Sequence, residues 1–133
     1  MIGDSLTTAT MQKALDGVWQ RQKSIANNIA NYETPGYKSI KVSFEKSLEQ
    51  EVRRHQGQIS SPLENERQID AIMKSQISYY SDSSSEERAD GNNVNLENEN
   101  IEMAKTQIQY QYLTRGMSDM FSRLRYAISE GRK

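Results

Sequence analysis

The sequence predicts a mainly α-helical chain. Long N- and C-terminal helices pair as an antiparallel coiled coil, and an irregular middle segment holds a short helix with either a small β-hairpin or extended strands. Three observations lead there. Apolar residues recur at alternating four- and three-residue spacing near both ends, the period of a helix that buries one stripe. The middle is polar and broken by Gly and Pro. Bulky apolar volume is scarce: 133 residues, 35% hydrophobic, with two Phe and one Trp, and a mean hydropathy of −0.88. Such a chain buries a stripe rather than a thick core. The expected division is residues 1–33 for the first helix, 34–93 for the middle and 94–133 for the last helix.

In the first helix Met11, Leu15, Val18, Gln22, Ile25, Ile29 and Tyr32 form the seam, with Trp19 and Ala26 widening it. Gly17 interrupts this stretch, at a helix-propensity cost of about 1 kcal/mol relative to alanine. The helix is expected to end near Glu33, because Pro35 pushes Thr34 out of the α region. Thr34-Pro35-Gly36-Tyr37 then suits a type II turn, with Pro at its second position and Gly supplying positive φ at its third.

The middle segment opens with "SFEKSLEQEVRR", a short helix by the spacing of Phe44, Leu48 and Val52. "HQGQISSPLENE" reads as a loop from its Gly and Pro. "RQIDAIMKSQISYY" is divided: Ile69, Ile72, Met73 and Ile77 suit a helix, while the end alternates like a strand. "SDSSSEERADGNN" is Ser-rich and acidic and is expected to be mobile or extended. The last helix is expected from about Leu96 to Ser129. Its seam is Met103, Tyr110, Leu113, Met117, Met120, Leu124 and Ala127, flanked by Ile101, Ala104, Ile108, Phe121 and Ile128. Arg132 and Lys133 then lie at the negative pole of its dipole.

A long isolated helix is marginal in water, and the two terminal helices have matching lengths and seams. An antiparallel pair is the economical arrangement. One two-helix seam is thin, so further copies or partners are expected to complete the burial.

Asn27, Asn28 and Asn31 sit inside this apolar repeat, although asparagine favours caps and turns. One account is that they fray a helix end before a turn. The other is that polar amides beside an apolar seam set register and partner identity at some cost in stability. The residues alone leave both open.

Little in the chain suits catalysis. Seventeen basic and eighteen acidic residues balance to a net charge of −1, which disfavours nucleic acid or an anionic membrane as an electrostatic partner. The absence of cysteine excludes disulfides and thiol chemistry. His55 is the one histidine, so neither a multi-His metal site nor a His-based triad is available. Asp90-Gly91-Asn92-Asn93 suggests a calcium loop, but Asn95 stands where that loop needs Gly and Ile101 where it needs Glu. A turn entering a helix fits better. The glycines are too scattered for a phosphate-cradling loop, and the pairs Glu86-Glu87 and Glu97-Glu99 lie in polar stretches. No cofactor is expected. No apolar run approaches the roughly 20 residues that span a bilayer, and the N-terminus shows no cleavable secretory signal. Any export is expected to use a route without one.

"IANNIANYETPGYKS" resembles the N-terminal motif of the flagellar rod and hook axial proteins, approximately A-N-N-[IL]-A-N-x-x-T-P-G-Y-K. It is matched without a gap by Ala26, Asn27, Asn28, Ile29, Ala30, Asn31, Thr34, Pro35, Gly36, Tyr37 and Lys38. "DGNNVNLENENIEMAKTQIQYQYLTRGMSDMFSRLRYAI" resembles the C-terminal pattern of the proximal-rod members. The matches are Asp90 to Glu97, Glu102 to Ala104, Ile108, Tyr110, Gln111, Phe121, Leu124 and Arg125, with an extra "NEN" before Ile101. The resemblance implies a non-enzymatic structural subunit of the proximal rod of the bacterial flagellar basal body. It would self-assemble through its terminal helices into a helical tube that transmits torque. Implied partners are copies of itself and other rod proteins, the basal-body membrane ring or its adaptor, and the flagellar type III export apparatus, without nucleic acid or direct membrane insertion. The implied location is the basal-body rod outside the cytoplasmic membrane, in the periplasmic or cell-wall space. Phe44 and Leu48 match the spacing of an element described as being read at the export gate. The alternatives are a neighbouring proximal-rod subunit of the same family and a soluble helical-hairpin adaptor.

Overall fold

A computed structural model of the chain describes residues 2–57 and 61–131. Its element order is α1 (Ile2–Ala30), β1 (Ile40–Ser43), α2 (Glu45–His55), α3 (Pro62–Met73), β2 (Ser78–Ser81) and α4 (Leu96–Glu130). The long terminal helices run antiparallel. Thr8 meets the Met120 sulfur, Met11 faces Gly116, Arg21 reaches Gln109 and Asn28 reaches Glu99. Helix α1 stops at Ala30, a turn before the expected Glu33, and the chain continues through turns to Gly36. Gly36 has φ +73° and the Tyr37 N–H bonds the Thr34 carbonyl at 3.3 Å, as the expected turn requires.

The middle segment is more ordered than its composition suggests. Helix α2 carries Glu45 in its first turn and Arg53, Arg54 and His55 in its last, with the Glu45, Arg53 and Arg54 charges at the favourable ends of the helix dipole. Pro62 to Glu66, expected as loop, instead opens helix α3. Ser61 caps it by accepting from the Glu64 N–H, and the Glu64 side chain returns to the Ser61 N–H. This reciprocal capping box is a helix start, not a loop. Gln58 to Ser60 of that expected loop, and the basic Arg132 and Lys133, lie outside the described residues.

The two strands form a small antiparallel sheet, Ile40 opposite Ser81 through to Ser43 opposite Ser78. It is no tight hairpin, since α2 and α3 lie between its strands. The segment from Asp82 to Asn93 is irregular in backbone but anchored: Asp82, Asn92 and Asn93 are buried.

The main core does not lie in the α1–α4 seam. Ala9 and Val18 of α1 pack with Val42, Phe44, Leu48 and Ile72 of the middle segment, and Leu113 is the α4 residue that joins the rim. Phe44 explains this. Its ring lies against Gly17, where an added Cβ would overlap the ring carbons. The glycine that looked like a helix weakness is the notch that admits the largest side chain of the core. The Arg21 guanidinium covers the ring 4.9 Å from its centroid, donates to the Val42 carbonyl at 2.9 Å and pairs with both Glu45 oxygens.

The apolar seams are accordingly used unevenly. Of the α1 set, Val18 and Ile25 are buried, while Met11, Leu15, Gln22, Ile29 and Tyr32 are half-buried. Trp19 and Ala26 do not widen the seam; both are exposed, Trp19 with Lys23 over its ring. On α4, Met103, Leu113, Met117 and Met120 are half-buried, whereas Tyr110, Leu124 and Ala127 are exposed. The expected flanks Ile101, Ala104, Ile108, Phe121 and Ile128 are exposed as well. Helix α1 is covered on one side by the middle segment and on another by α4. Helix α4 touches α1 on one stripe only, so most of its surface faces out.

Candidate functional site

The two motif stretches, distant in sequence, meet where α1 ends and α4 begins. An antiparallel pair places the last turn of one helix beside the first turn of the other, and the chain fills that junction with short amide and hydroxyl side chains. Asn28 is its centre, with 1% of its surface exposed. Its Nδ2 donates to the Ser39 hydroxyl at 3.1 Å, the Ile40 carbonyl at 2.9 Å and Glu99 Oε2 at 3.2 Å. Its Oδ1 accepts from the Tyr37 hydroxyl and the Ile40 N–H, each at 3.0 Å. Ser24 completes this edge by donating to the Ile40 carbonyl at 2.6 Å. The outer edge of β1, which pairs with no strand among the described residues, is thus satisfied by α1 side chains, as buried backbone groups require.

Ser39 and Glu99 extend the junction to α4. The Ser39 hydroxyl donates to Glu99 Oε1 at 2.9 Å, and its N–H donates to Asn93 Oδ1 at 2.6 Å. Glu99 is 5% exposed and lies in the first turn of α4, where the helix dipole favours a negative side chain. Asn95 caps the same helix by accepting from the Asn98 N–H at 3.2 Å.

The Asp90–Asn93 turn closes the end of α1. Asn92 has no exposed surface, and its Nδ2 donates to the carbonyls of Asn31 and Thr34 at 2.8 Å each. These lie where a helix end leaves acceptors without intrahelical partners. Arg88 stacks on the Tyr32 ring at 4.2 Å and donates to the Tyr32 carbonyl. Lys38 donates to the Gly91 carbonyl at 2.6 Å. Gly91 and Gly36, both at positive φ, come together so closely that a Cβ on Gly91 would lie 3.5 Å from the Gly36 Cα.

Burial, charge and hydrogen bonding shift three groups in and beside this arrangement. Burial, and then the Glu99 carboxylate, raise the Tyr37 hydroxyl above its ordinary value, so it remains a donor. Hydrogen bonds from Ser84, then Lys41 and Ser85, hold the Asp82 carboxyl far below the usual carboxylate range against the opposing effect of burial. Asp82 in turn keeps Lys41 above its usual value although burial works the other way.

Among the expected motif residues, the structure separates two kinds. Asn28 and Tyr37 build the junction directly. Asn31 folds back, its Nδ2 on the Asn27 carbonyl at 2.8 Å and its Oδ1 accepting from Thr34, so it closes its own helix end. Ala26, Asn27, Ala30, Thr34, Pro35 and Gly36 are exposed and Ile29 is half-buried. Phe44 and Leu48 are both core residues, 4% and 7% exposed. Glu99, expected with Glu97 in a polar, solvated stretch, is instead buried, because Asn28 and Ser39 donate to its carboxylate. The sequence reading did not single out Ser24, Ser39 or Arg88, and it gave Asn92 and Asn93 no task beyond a turn. Only the fixed spacing of D-G-N-N before a helix hinted at them.

This junction is a clasp of saturated hydrogen bonds. Among the described residues no group of His, Cys, Asp and Glu is placed to hold a metal ion, and no helix is long and apolar enough to cross a membrane. The profile of the family described as "Flagella basal body rod protein" matches residues 11–38, which carry α1 into the clasp. The chain is 34% identical over 127 residues to the flagellar basal body rod protein FlgB of Bacillus subtilis, covering 95% of each chain. It is 34% identical to the FlgB of Buchnera aphidicola, over 75% of this chain and 77% of the relative. The Salmonella typhimurium FlgB is 29% identical over 75% of this chain and 76% of its own. The long paired terminal helices, the clasp of the two motifs and near full-length similarity lead to one conclusion: the chain belongs to the FlgB family of flagellar basal body rod proteins.

Proposed function

We propose that this structural protein of the flagellar basal body forms the proximal rod, with its α1–α4 pair laid along the wall of a helical tube. In that reading residues 1–33 and 94–133 make the wall, and residues 34–93 form the outer part of the subunit. Family membership already makes it a structural rod subunit that associates with other basal-body components. The observation supporting the finer reading is the uncovered apolar surface of α4. Phe121, Leu124 and Ile128 lie at 49%, 40% and 51% exposure in its last turns, beside Met120 and the start of α1. A cluster of exposed apolar side chains such as this suits an interaction site, and neighbouring copies or other rod proteins would cover it.

Contact with the membrane ring or its adaptor, and a place outside the cytoplasmic membrane, belong to the same proposal. So does passage through the type III export apparatus. Because Phe44 and Leu48 are buried, an export gate would read them only on an unfolded chain. Imaging intact basal bodies with the subunit tagged in its α2–α3 region tests the placement. Density at the rod base, and loss of rod and hook on deletion, is the expected result. Normal rods after deletion, or a tag found only in cytosol, would overturn it.

A further inference from the structure

We propose that Glu99, held by Asn28 and Ser39, is the register lock of the α1–α4 pair. It selects one axial alignment from those that the apolar seam tolerates. This concerns the single subunit and does not depend on its place in the rod.

The seam by itself discriminates poorly between alignments one heptad apart, a slide of about 10 Å along a helix. On α4 its half-buried apolar residues are Met103, Leu113, Met117 and Met120, and methionine adapts its shape to new neighbours. Glu99 and Thr106 are the buried residues of α4, one heptad apart on the same face. Thr106 turns its hydroxyl to its own helix, donating to the Glu102 carbonyl at 2.7 Å. Glu99 instead accepts from two groups outside its helix, at 2.9 and 3.2 Å. In an alignment slipped by one heptad, Thr106 takes its place and Glu99 passes beyond the end of α1, away from both donors. A buried polar group inside an apolar seam rejects slipped pairings in this way, whatever it adds to stability.

Two other features act on alignment less directly. Asn92 and Asn93 tether the loop before α4, outside the seam. Gly116 faces only the flexible tip of Met11, 3.1 Å from the site of an added Cβ.

The absence of cysteine allows a direct test by disulfide trapping in the full chain. One cysteine replaces Thr8; the second replaces either Met120, its neighbour in this alignment, or Ala127, its neighbour after the one-heptad slip. With Glu99 present, the 8–120 pair is expected to close and the 8–127 pair to remain open. Glu99→Met removes the carboxylate yet leaves Asn28 its bonds to Ser39 and Ile40. It is expected to raise the 8–127 yield at least fivefold, and to lower the melting temperature because the buried Ser39 hydroxyl loses its acceptor. Asn92→Ala, which loosens the tether alone, is expected to lower the melting temperature and leave the 8–127 yield low. A Glu99→Met variant that melts lower but still forms only the 8–120 bond would overturn the proposal, making Glu99 a stabilising contact and nothing more. If Glu99→Met does not fold, Glu99→Leu, which likewise has no acceptor, is read by the same pairs. An 8–127 yield at the parental level in that variant would equally overturn it.

Discussion

Gly17→Ala is expected to destabilise the protein, against the general rule for mid-helix glycines. In an open helix this change gains about 1 kcal/mol of helix propensity. Here the new methyl would occupy space already held by three carbons of the Phe44 ring. Phe44 is 4% exposed and packed between α1, β1 and α2. Either the core strains to admit the methyl, at about 1–3 kcal/mol, or the ring leaves its site and forfeits about 2–3 kcal/mol of burial. Both routes cost around 3 kcal/mol at this degree of overlap, so the net loss is about 2 kcal/mol. For a chain of this size that lowers the melting temperature by roughly 6–8 °C. Thermal and urea unfolding followed by circular dichroism at 222 nm measure it. A double-mutant cycle with Phe44→Leu should show a coupling of about 1 kcal/mol or more, because a smaller side chain vacates the notch. A stabilised Gly17→Ala variant, or purely additive effects, would refute the notch as the reason for this glycine.

Gly116→Ala is the contrasting case. Its Cβ would meet only the end of the Met11 side chain, so the propensity gain should prevail and stability should rise by about 0.5–1 kcal/mol in the same melts. Asn92→Ala removes a wholly buried amide that serves two carbonyls; a loss of about 1–3 kcal/mol is expected, with faster amide exchange at the end of α1. Asp82 is held below its ordinary value in the folded chain, so its contribution is present above the unfolded pKa near 4 and is lost as pH falls below it. Asp82→Asn should therefore flatten the acid limb of a stability–pH curve between about pH 4 and pH 2, while a parallel limb would exclude Asp82 as its source. Leu124→Asp, at an exposed position, should leave monomer melting within about 0.5 kcal/mol yet abolish motility in a complementation assay.

The legible parts of this fold were those written as local periodicity. The 4-3 spacing located both long helices, Pro35 and Gly36 located the turn, and Phe44, Leu48 and Val52 located α2. The start of α3 was also written locally, in Ser61, Pro62 and Glu64, but Pro62 marks a loop as readily as the first turn of a helix, and only the capping box decides between them. Strand β2 was legible in the alternation after Ile77, but β1 and the pairing were not, because the strands are four residues each and their pairing is set by what lies between them. Nor could the function of Asn28 be read from its neighbours. Its alternatives were a frayed end or an amide setting register and partner identity, and neither named its partners, which lie at Ser39 and Glu99 of the same chain.

The sequence alone determined a chain with two long amphipathic helices, a broken polar middle and no catalytic constellation, because helical period and residue chemistry are local properties. The tertiary structure decided which side of α1 became the core, since Trp19 and Val18 both qualify by composition and only the Phe44 notch at Gly17 orients the helix. It also decided what the two motifs do. Hydrogen-bond partners of buried amides are chosen by packing across large sequence separations, and the antiparallel pairing of α1 and α4 brings Asn28, Ser39, Asn92, Asn93 and Glu99 into one clasp.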